Sequence, residues 1–371
     1  MSLFDNDFTL GVEEEYQIVD PETRELKSYI SKLIEEGSHS ILRERVRTEM
    51  HQSMVEVGTG ICQDLEGVRS ELTEMRGDLD RLARNGGLRI AAASTHPFSD
   101  WQTQNITDTV RYHEIVEDLQ DIARANLIFG LHVHVGIRDK QVALAITNQI
   151  RYFLPHILCL TCSSPFWLGR KTGLMSYRSQ VFKRFPRTGI PDEFESVEQL
   201  KNFIHLLIKT NCIDNGKKIW WDVRTHWRFD TVEIRISDMP TNLEDTLAVV
   251  ALIQALVAQL YMMYKRNITW RSYPRSLIEE NKWRASRYGT DAKLIDLGLG
   301  EEKPFTELAQ ELVEFVSDAA EALGTVDYLE RILHIAHNGT SAHRQLEVFD
   351  RTGGDIRAVV DWLIEETMRG I

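Results

Sequence analysis

The most constraining feature of this sequence is a set of β-type segments in which charged or imidazole side chains occupy alternate positions. In residues 11–17, Glu13 and Glu15 fall on one face of a strand while Val12 and Tyr16 fall on the other, because successive side chains of a strand point to opposite faces. Four further segments repeat this alternation, with charged positions at Glu56, His132, His134, Asp222, Arg224, Glu233 and Arg235. The pattern predicts one sheet that carries these side chains on the same face.

A sheet with one face in water is the ordinary explanation of such alternation, and each strand alone fits it. The set as a whole favours a buried polar face, because these positions hold almost only Glu, His and Arg. Two glutamates at i and i+2 also repel each other unless a countercharge is near. Glu49 lies seven residues before Glu56 in a loop-like approach, residues 48–53, so it can fold back towards the same place.

Short strands alternate with longer helices along the chain. Strands are predicted at residues 8–19, 54–58, 88–93, 128–137, 219–224 and 231–237. Helices are predicted at 64–84, 107–124, 139–160, 197–209, 243–264 and 276–287, with several more between 306 and 369. Capping-box spacing marks Ser196 and Thr241 as helix starts. No linker precedes the helical tail after Pro304, so we expect one domain over residues 1–371, with 304–371 as a helical layer.

Charge and hydropathy restrict the classes of partner that the protein is expected to bind. The 371 residues include 43 basic and 56 acidic side chains, a net charge of −13, which disfavours non-specific binding to nucleic acid. The longest apolar run, residues 247–263, contains Gln254 and Gln259 and falls short of a membrane span. The N-terminus opens without a basic, apolar leader. We therefore expect a cytoplasmic protein with neither a nucleic-acid nor a membrane partner.

The predicted polar face indicates metal and phosphate chemistry. Several carboxylates with one or two imidazoles offer mostly oxygen ligands, which favour Mg²⁺ or Mn²⁺ over Zn²⁺. A metal beside arginine is typical of phosphoryl transfer, where both neutralise phosphate charge. The sequence contains neither a G-x-x-x-x-G-K-[ST] loop nor a G-x-G-x-x-G turn after a strand. Phosphate recognition is therefore expected to come from metals and side chains.

Five segments together resemble the bacterial carboxylate–amine ligase family, also called type 2 glutamate–cysteine ligases. They are Gly-Val-Glu-Glu-Glu-Tyr-Gln at 11–17, Thr-His-Pro-Phe at 95–98, Gly-Leu-His-Val-His-Val-Gly at 130–136, Thr-Val-Glu-Ile-Arg at 231–235 and Asn-Lys-Trp-Arg-Ala-Ser-Arg-Tyr-Gly at 281–289. The match runs from about residue 8 to about residue 360, in order. The resemblance implies an α+β, glutamine synthetase-like catalytic fold, in which a curved antiparallel sheet of about six strands forms a funnel covered by helices.

The resemblance also implies an activity and a role for individual residues. The activity is ATP-dependent formation of an acyl phosphate from an amino-acid carboxylate, expected to be glutamate, followed by attack of an amine such as cysteine. By the same resemblance, Glu15, Glu49 and Glu56 would hold one metal, and Glu13, His132 and Glu233 would hold the other. His134 would lie beside the transferring phosphoryl group, and Arg235 and Arg224 would contact phosphate or the acyl substrate. Arg178 and Arg287 are further candidates for substrate or nucleotide binding, with a structural role left open for Arg287.

Two other classes of function stay open from the sequence. A metal-dependent, amidohydrolase-type hydrolase also carries H-x-H on a strand, but on the first strand of a βα barrel and with more metal histidines to follow. A metal-binding scaffold that has lost the family's chemistry is the third possibility. We expect ATP and Mg²⁺, with Mn²⁺ as a substitute, as cofactors. The expected partners are small molecules, namely ATP, an amino acid and an amine, and a homodimer is left open.

Overall fold

A computed structural model describes residues 6–36, 42–226 and 228–371 of the chain. Its strands are β1 (Leu10–Val19), β2 (Val46–Thr48), β3 (Met54–Gly58), β4 (Arg89–Ala91), β5 (Leu131–Gly136), β6 (Phe166–Trp167), β7 (Arg170–Lys171), β8 (Thr188–Gly189), β9 (Trp220–Trp221), β10 (Val223–Thr225), β11 (Thr231–Ile234), β12 (Lys293–Asp296) and β13 (Glu301–Pro304). Its helices are α1 (Ile30–Glu36), α2 (Leu42–Arg45), α3 (Leu65–Asn85), α4 (Val110–Leu119), α5 (Asp121–Arg124), α6 (Lys140–Ile150), α7 (Leu154–Thr161), α8 (Arg178–Phe182), α9 (Val197–Lys209), α10 (Leu243–Lys265), α11 (Arg275–Tyr288), α12 (Phe305–Leu323), α13 (Val326–Asn338), α14 (Ser341–Arg351) and α15 (Ile356–Thr367).

A seven-stranded antiparallel sheet forms the centre of the molecule. Its strands follow the order β10-β11-β5-β1-β3-β2, and β4 pairs with the far end of β1. The long strand β1 therefore pairs with β5 through its first half and with β3 through its middle. This topology brings segments that are far apart in the sequence side by side on one surface.

The two faces of the sheet differ as the alternation predicts. Val12, Val57, Val133 and Ile234 point to one face and are fully buried in the main core, beneath the helices. α10 supplies much of that core. This helix is long and apolar enough to cross a membrane, but 89% of its apolar window is buried inside the protein, as in a core helix. Gln254 in the middle of α10 donates a 2.9 Å hydrogen bond from its Nε2 to the carbonyl of Phe8, so the amide nitrogen of this core residue has a partner.

The C-terminal helices pack onto the rest of the chain. α12 and α13 lie against α10, and α15 lies against β4. The buried Asp245 of α10 accepts hydrogen bonds from Arg331 of α13 (2.8 Å) and Arg344 of α14 (2.6 Å). These contacts describe a docked helical layer over residues 304–371, while the assignment of the chain to a single domain stays a prediction.

Several predicted boundaries need correction. The predicted strand at 219–224 is two short strands, β9 and β10, separated by Asp222. The predicted helix at 107–124 is interrupted at Gln120, which has a φ of 50°, and the one at 139–160 is interrupted by a 3-10 turn at Arg151–Phe153. Asn242, rather than Thr241, caps α10 by accepting a hydrogen bond from the Asp245 amide. The sequence analysis also missed β2 and the hairpin β12–β13.

Candidate active site

A cavity of about 830 Å³ lies over the polar face of the sheet. Ten of the eleven candidate residues from the sequence line this cavity. They are Glu13, Glu15, Glu49, Glu56, His132, His134, Arg178, Arg224, Glu233 and Arg235. The eleventh, Arg287, is exposed on α11, where its guanidinium lies 4.8 Å from the centre of the Tyr288 ring. Arg287 is therefore not among the residues that line this cavity, and its role in substrate or nucleotide binding stays a prediction.

Strand register places these side chains in rows across the sheet. Glu13 lies opposite His132 on β5, and Glu15 lies opposite Glu56 on β3. Further along, His134 lies opposite Glu233 on β11, which in turn lies opposite Arg224 on β10. Cross-strand neighbours on one face are close enough to interact directly. The antiparallel register thus builds a continuous polar surface, acidic around β1 and β3 and basic around β10 and β11.

The first acidic cluster consists of Glu15, Glu49 and Glu56, whose carboxylate oxygens lie within 4.8 Å of one another. Burial, together with the charge of Glu56, raises the pKa of Glu15 to about 7. Burial and the charge of Glu15 raise the pKa of Glu49 to about 7 as well, and the pKa of Glu56 is also raised. Three crowded carboxylates that resist ionisation form a site that a divalent cation would neutralise.

The second cluster differs from its expected composition. Ligand atoms of Glu13, His132 and Glu56 lie within 4.8 Å of one another, and His132 Nδ1 lies 3.1 Å from Glu13 Oε2. Burial opposes ionisation of Glu13, but the neighbouring rings of His132 and His134 hold its pKa well below the usual range. Burial lowers the pKa of His132 to about 4, so its ring is neutral and able to bind a metal. Glu56, rather than Glu233, completes this group.

Glu233 instead forms ion pairs with two arginines. Arg224 donates to both of its carboxylate oxygens (2.5 and 3.1 Å), and Arg235 Nη1 donates to Oε1 (2.6 Å). Burial opposes ionisation of this carboxylate, but the charges of Arg235 and Arg224 hold its pKa well below the usual range. Glu233 therefore organises the basic half of the cavity in the arrangement observed here, and its role as a metal ligand stays a prediction.

Arg178 lies at the base of the basic half and is 4% exposed. Its guanidinium donates to the carbonyls of Ile236 (3.2 Å) and Arg235 (3.3 Å), and Asp238 lies 4.0 Å away. Gly130 makes room for it, since a Cβ atom there would lie 2.4 Å from Arg178 Nη2. The amide of Gly130 also donates a 2.6 Å hydrogen bond to Glu15, so one glycine joins the acidic and basic halves.

His134 lies at the boundary of the two halves. Its Nε2 is 3.9 Å from Glu13 Oε1 and 4.0 Å from Glu233 Oε1, while Nδ1 lies 3.2 Å from the hydroxyl of Thr231. A second cavity, of about 670 Å³, shares His134, Glu13 and Phe229 with the first. His134 is therefore reached from both cavities.

Arg47 is a cavity residue that the sequence analysis missed. Its Nη1 atom lies 2.9 Å from Glu13 Oε1 and 3.3 Å from Glu56 Oε1, so it bridges two carboxylates of the second cluster. The signal that could have found it is the alternation of β2, where the partly buried Val46 and Thr48 flank Arg47. Three residues are too few for that alternation to be distinctive.

Comparison with known protein families identifies the fold and its chemistry. The model of glutamate–cysteine ligase family 2 matches residues 9–362. The chain belongs to this family. A Sorangium cellulosum protein named "putative glutamate–cysteine ligase 2" is 61% identical over 370 residues, which cover 100% of this chain and 98% of that protein. A protein of the same name from Herpetosiphon aurantiacus is 53% identical over 367 residues, covering 98% and 94%.

Two solved structures show the same fold. A bifunctional glutathione synthetase from Pasteurella multocida superimposes with a TM-score of 0.74 at 15% identity, over 99% of this chain and 53% of that one. The chain thus spans about half the length of that enzyme. A glutamate–cysteine ligase from Francisella tularensis, in complex with AMP, gives a TM-score of 0.73 at 12% identity, over 100% and 90%. The predicted glutamine synthetase-like fold is confirmed.

Family membership also confirms the predicted class of enzyme. The chain is an ATP-dependent carboxylate–amine ligase, which forms a carbon–nitrogen bond. The hydrolase alternative required H-x-H on the first strand of a βα barrel. Here His132 and His134 lie on β5, in the interior of an antiparallel sheet, so that alternative is excluded.

Proposed function

We propose that the protein uses ATP and Mg²⁺, or Mn²⁺ in its place, to join the carboxylate of an amino acid, expected to be glutamate, to an amine such as cysteine. The observation that carries this proposal is one cavity with crowded carboxylates on one side and arginines on the other. The acidic half offers mostly oxygen ligands, the donors that Mg²⁺ and Mn²⁺ prefer. The basic half offers guanidinium groups, which match phosphate and carboxylate oxygens.

Each half has its own task in the proposed reaction. Glu15, Glu49 and Glu56 would hold one cation, and Glu13, His132 and Glu56 a second. When bound, such cations neutralise phosphate charge. Arg235 and Arg224 would contact the transferring phosphoryl group or the acyl substrate.

The two bond-forming steps follow from this arrangement. An oxygen of the substrate carboxylate attacks the γ-phosphorus of ATP, and ADP leaves. The amine nitrogen then attacks the acyl carbon of the acyl phosphate. The carbon–nitrogen bond forms, inorganic phosphate leaves the acyl carbon, and the nitrogen loses a proton. Arg178 and His134 line the space in which both steps would occur. The partners required are the three small molecules alone, and the homodimer and the cytoplasmic location stay predictions.

The decisive test follows the carboxylate oxygen. The purified protein is incubated with ATP, Mg²⁺ and pairs of amino acids and amines, starting with glutamate and cysteine, while ADP release is measured. For an active pair, the amino acid is then labelled with ¹⁸O in its carboxylate. Transfer of one label into inorganic phosphate is expected, whereas product formed without labelled phosphate would contradict the acyl-phosphate mechanism. ADP release that is independent of both Mg²⁺ and Mn²⁺ would contradict the metal assignment.

A further inference from the structure

The helix α11 lies outside the cavity, yet it is attached to the back of the cavity's basic half. None of its residues, Arg275–Tyr288, lines the cavity. Three side chains on one helical face, Glu279, Lys282 and Ser286, contact the rest of the chain, and Lys282 and Ser286 contact the segments that carry cavity arginines. Glu279 accepts a 3.0 Å hydrogen bond from the amide of Ile190, next to β8, which pairs with β9.

Ser286 holds the segment that begins with Arg178. Its hydroxyl donates to the carbonyl of Ser176 (2.8 Å) and pairs with the hydroxyl of Ser179 (2.9 Å). Its own carbonyl accepts hydrogen bonds from the amides of Met175 (2.8 Å) and Ser176 (3.0 Å). Because Arg178 is the first residue of α8, these contacts fix the start of the helix that presents its guanidinium.

Lys282 forms a buried ion pair with Asp222. Lys282 Nζ lies 2.5 Å from Asp222 Oδ2, and the two residues are only 8% and 3% exposed. Asp222 separates β9 from β10, and its carbonyl accepts a 2.8 Å hydrogen bond from the amide of Arg235. The charge of Asp222 also reaches Arg178, whose pKa it raises against the larger lowering effect of burial. Asp222 therefore lies beside Arg235 on the neighbouring strand and two residues before Arg224, next to two of the arginines that line the cavity.

A buried ion pair is weak evidence for stability, because removing two charges from water costs about as much as their attraction returns. The position of the Lys282–Asp222 pair, next to the cavity arginines, indicates a role other than stability. Without Lys282, the Asp222 carboxylate would be a buried, unpaired anion close to the cavity arginines. It would attract their guanidinium groups and compete with phosphate for them.

We propose that Lys282 is a positioning residue of the ligase, which neutralises Asp222 so that Arg178, Arg224 and Arg235 remain available to an anion in the cavity. The inference rests on the proposed function, because it assigns these arginines to phosphate or acyl substrate. It also gives the family-like segment 281–289 a task at the active site, although the segment lies outside the cavity.

The test compares three variants with the wild-type chain. Lys282→Met removes the charge and keeps the length of the side chain, and the double variant Asp222→Asn/Lys282→Met removes both charges. Asn281→Ala is the matched control for a merely structural loss. Asn281 is a buried neighbour on the same helix, but it makes its two hydrogen bonds (2.8 and 2.7 Å) to Ile295 of the β12–β13 hairpin.

The readouts are the Kd of a non-hydrolysable ATP analogue with Mg²⁺, kcat from ADP release, and the melting temperature. Lys282→Met is expected to raise the Kd and lower kcat by about tenfold each, equivalent to about 1.4 kcal/mol. The double variant is expected to recover both values to within about threefold of wild type. Asn281→Ala is expected to lower the melting temperature while the Kd and kcat stay within about twofold of wild type. If Lys282→Met does not fold, Lys282→Gln replaces it with the same expectations.

Three results would overturn the proposal. They are an unchanged Kd and kcat in folded Lys282→Met, an equal loss in Asn281→Ala, and the absence of recovery in the double variant. Failure of the proposed function gives a different result, because the wild-type chain itself would then bind no ATP analogue and release no ADP.

Discussion

Glu56 is the one side chain that the two acidic clusters share. Its oxygens lie within 4.8 Å of ligand atoms from Glu15 and Glu49 in one cluster and from Glu13 and His132 in the other. Each carboxylate that faces a cation supplies a ligand which an amide replaces only weakly. Replacement of a ligand that both clusters share should therefore weaken both cation sites, whereas replacement of a ligand that belongs to one cluster should weaken only that site.

Replacement of Glu56 and replacement of Glu49 are accordingly expected to differ in the number of metal-binding events that they weaken. Glu56→Gln should weaken both Mn²⁺-binding events, and Glu49→Gln only one, each by at least about tenfold in Kd. Titration of metal-free protein with Mn²⁺, followed by electron paramagnetic resonance, counts the bound ions. Glu22→Gln, a change of an exposed glutamate, is the control and should bind Mn²⁺ as the wild type does. Two intact binding events in Glu56→Gln would show that the clusters are not the metal sites.

The three consecutive glutamates show how strand alternation separates function from stability. Glu14 is fully buried on the opposite face, where it pairs with the fully buried Arg76 and accepts hydrogen bonds from Tyr16 and Thr246. Glu15 lies among other carboxylates in the cavity. Loss of the Glu14 charge leaves the buried Arg76 without its counter-ion, while loss of the Glu15 charge removes a repulsion between carboxylates.

Substitution of Glu14 is expected to affect stability, and substitution of Glu15 is expected to affect activity. Glu14→Gln should lower the free energy of unfolding by about 3–5 kcal/mol, because it breaks a buried ion pair from one side. Glu15→Gln should nearly abolish ADP release without lowering the stability of the metal-free protein. Urea unfolding and ADP release, measured on both variants, test this pair. A stable Glu14→Gln, or a fully active Glu15→Gln, would contradict the assignment of the two faces.

The sequence could predict most of the charged residues that face the cavity, but it could not predict how they pair. Alternation depends on the period of a strand alone, so it separates Glu13 and Glu15 from Glu14 without knowledge of the fold. Pairing depends on which strands become neighbours and on which partner has the better geometry. Glu233 is an acceptable metal ligand by residue type, yet its neighbours in the fold are Arg224 and Arg235.

At the scale of elements, the turn after β4 shows a histidine in a structural role. His96 is 1% exposed, and its Nδ1 accepts hydrogen bonds from the amides of Phe98 (3.2 Å) and Ser99 (2.9 Å). Its Nε2 lies 2.9 Å from the carbonyl of Arg24, which ties this turn to the loop after β1. Protonation of Nδ1 would remove the acceptor of both amide bonds.

This turn is expected to make the protein sensitive to acid. Burial lowers the pKa of His96 to about 3 in the folded protein, against about 6.5 in an unfolded chain. Between these values the unfolded chain binds a proton that the folded chain does not. The contribution of neutral His96 to the stability of the folded protein is therefore complete above about pH 6.5. It falls towards pH 3, by at most about 1.4 kcal/mol per pH unit.

Urea unfolding between pH 7 and pH 4 measures this effect. His96→Asn keeps an oxygen acceptor for the turn but does not titrate, so its stability should fall less steeply with acid than that of the wild type. His205→Asn, a change of an exposed histidine on α9, should leave the dependence of the free energy of unfolding on pH the same as in the wild type. Equal slopes in wild type and His96→Asn would assign the acid sensitivity to other groups.

At the scale of the whole molecule, the question is whether the C-terminal helices and the sheet unfold together. Asp245 is buried on α10, whose other side belongs to the core beneath the sheet. Its carboxylate bonds Arg331 and Arg344, one from each of two C-terminal helices. The preceding residue, Glu244, pairs with Arg69 of α3, which also contacts Tyr328 of α13. The start of α10 is thus the point at which three parts of the chain are joined.

We therefore expect a single cooperative unfolding transition for the whole chain, as for one domain. Asp245→Ala removes the shared acceptor of two arginines and should lower the free energy of unfolding by about 3 kcal/mol. If the layer belongs to the same cooperative unit, calorimetry, tryptophan fluorescence and circular dichroism should report the same lowered melting temperature. Asp361→Ala, which removes a half-buried partner of Arg24, is the control and should shift the melting temperature far less. Two separate transitions, with only the helical one moved by Asp245→Ala, would instead make residues 304–371 a domain of their own, because the sheet would then keep its stability without them.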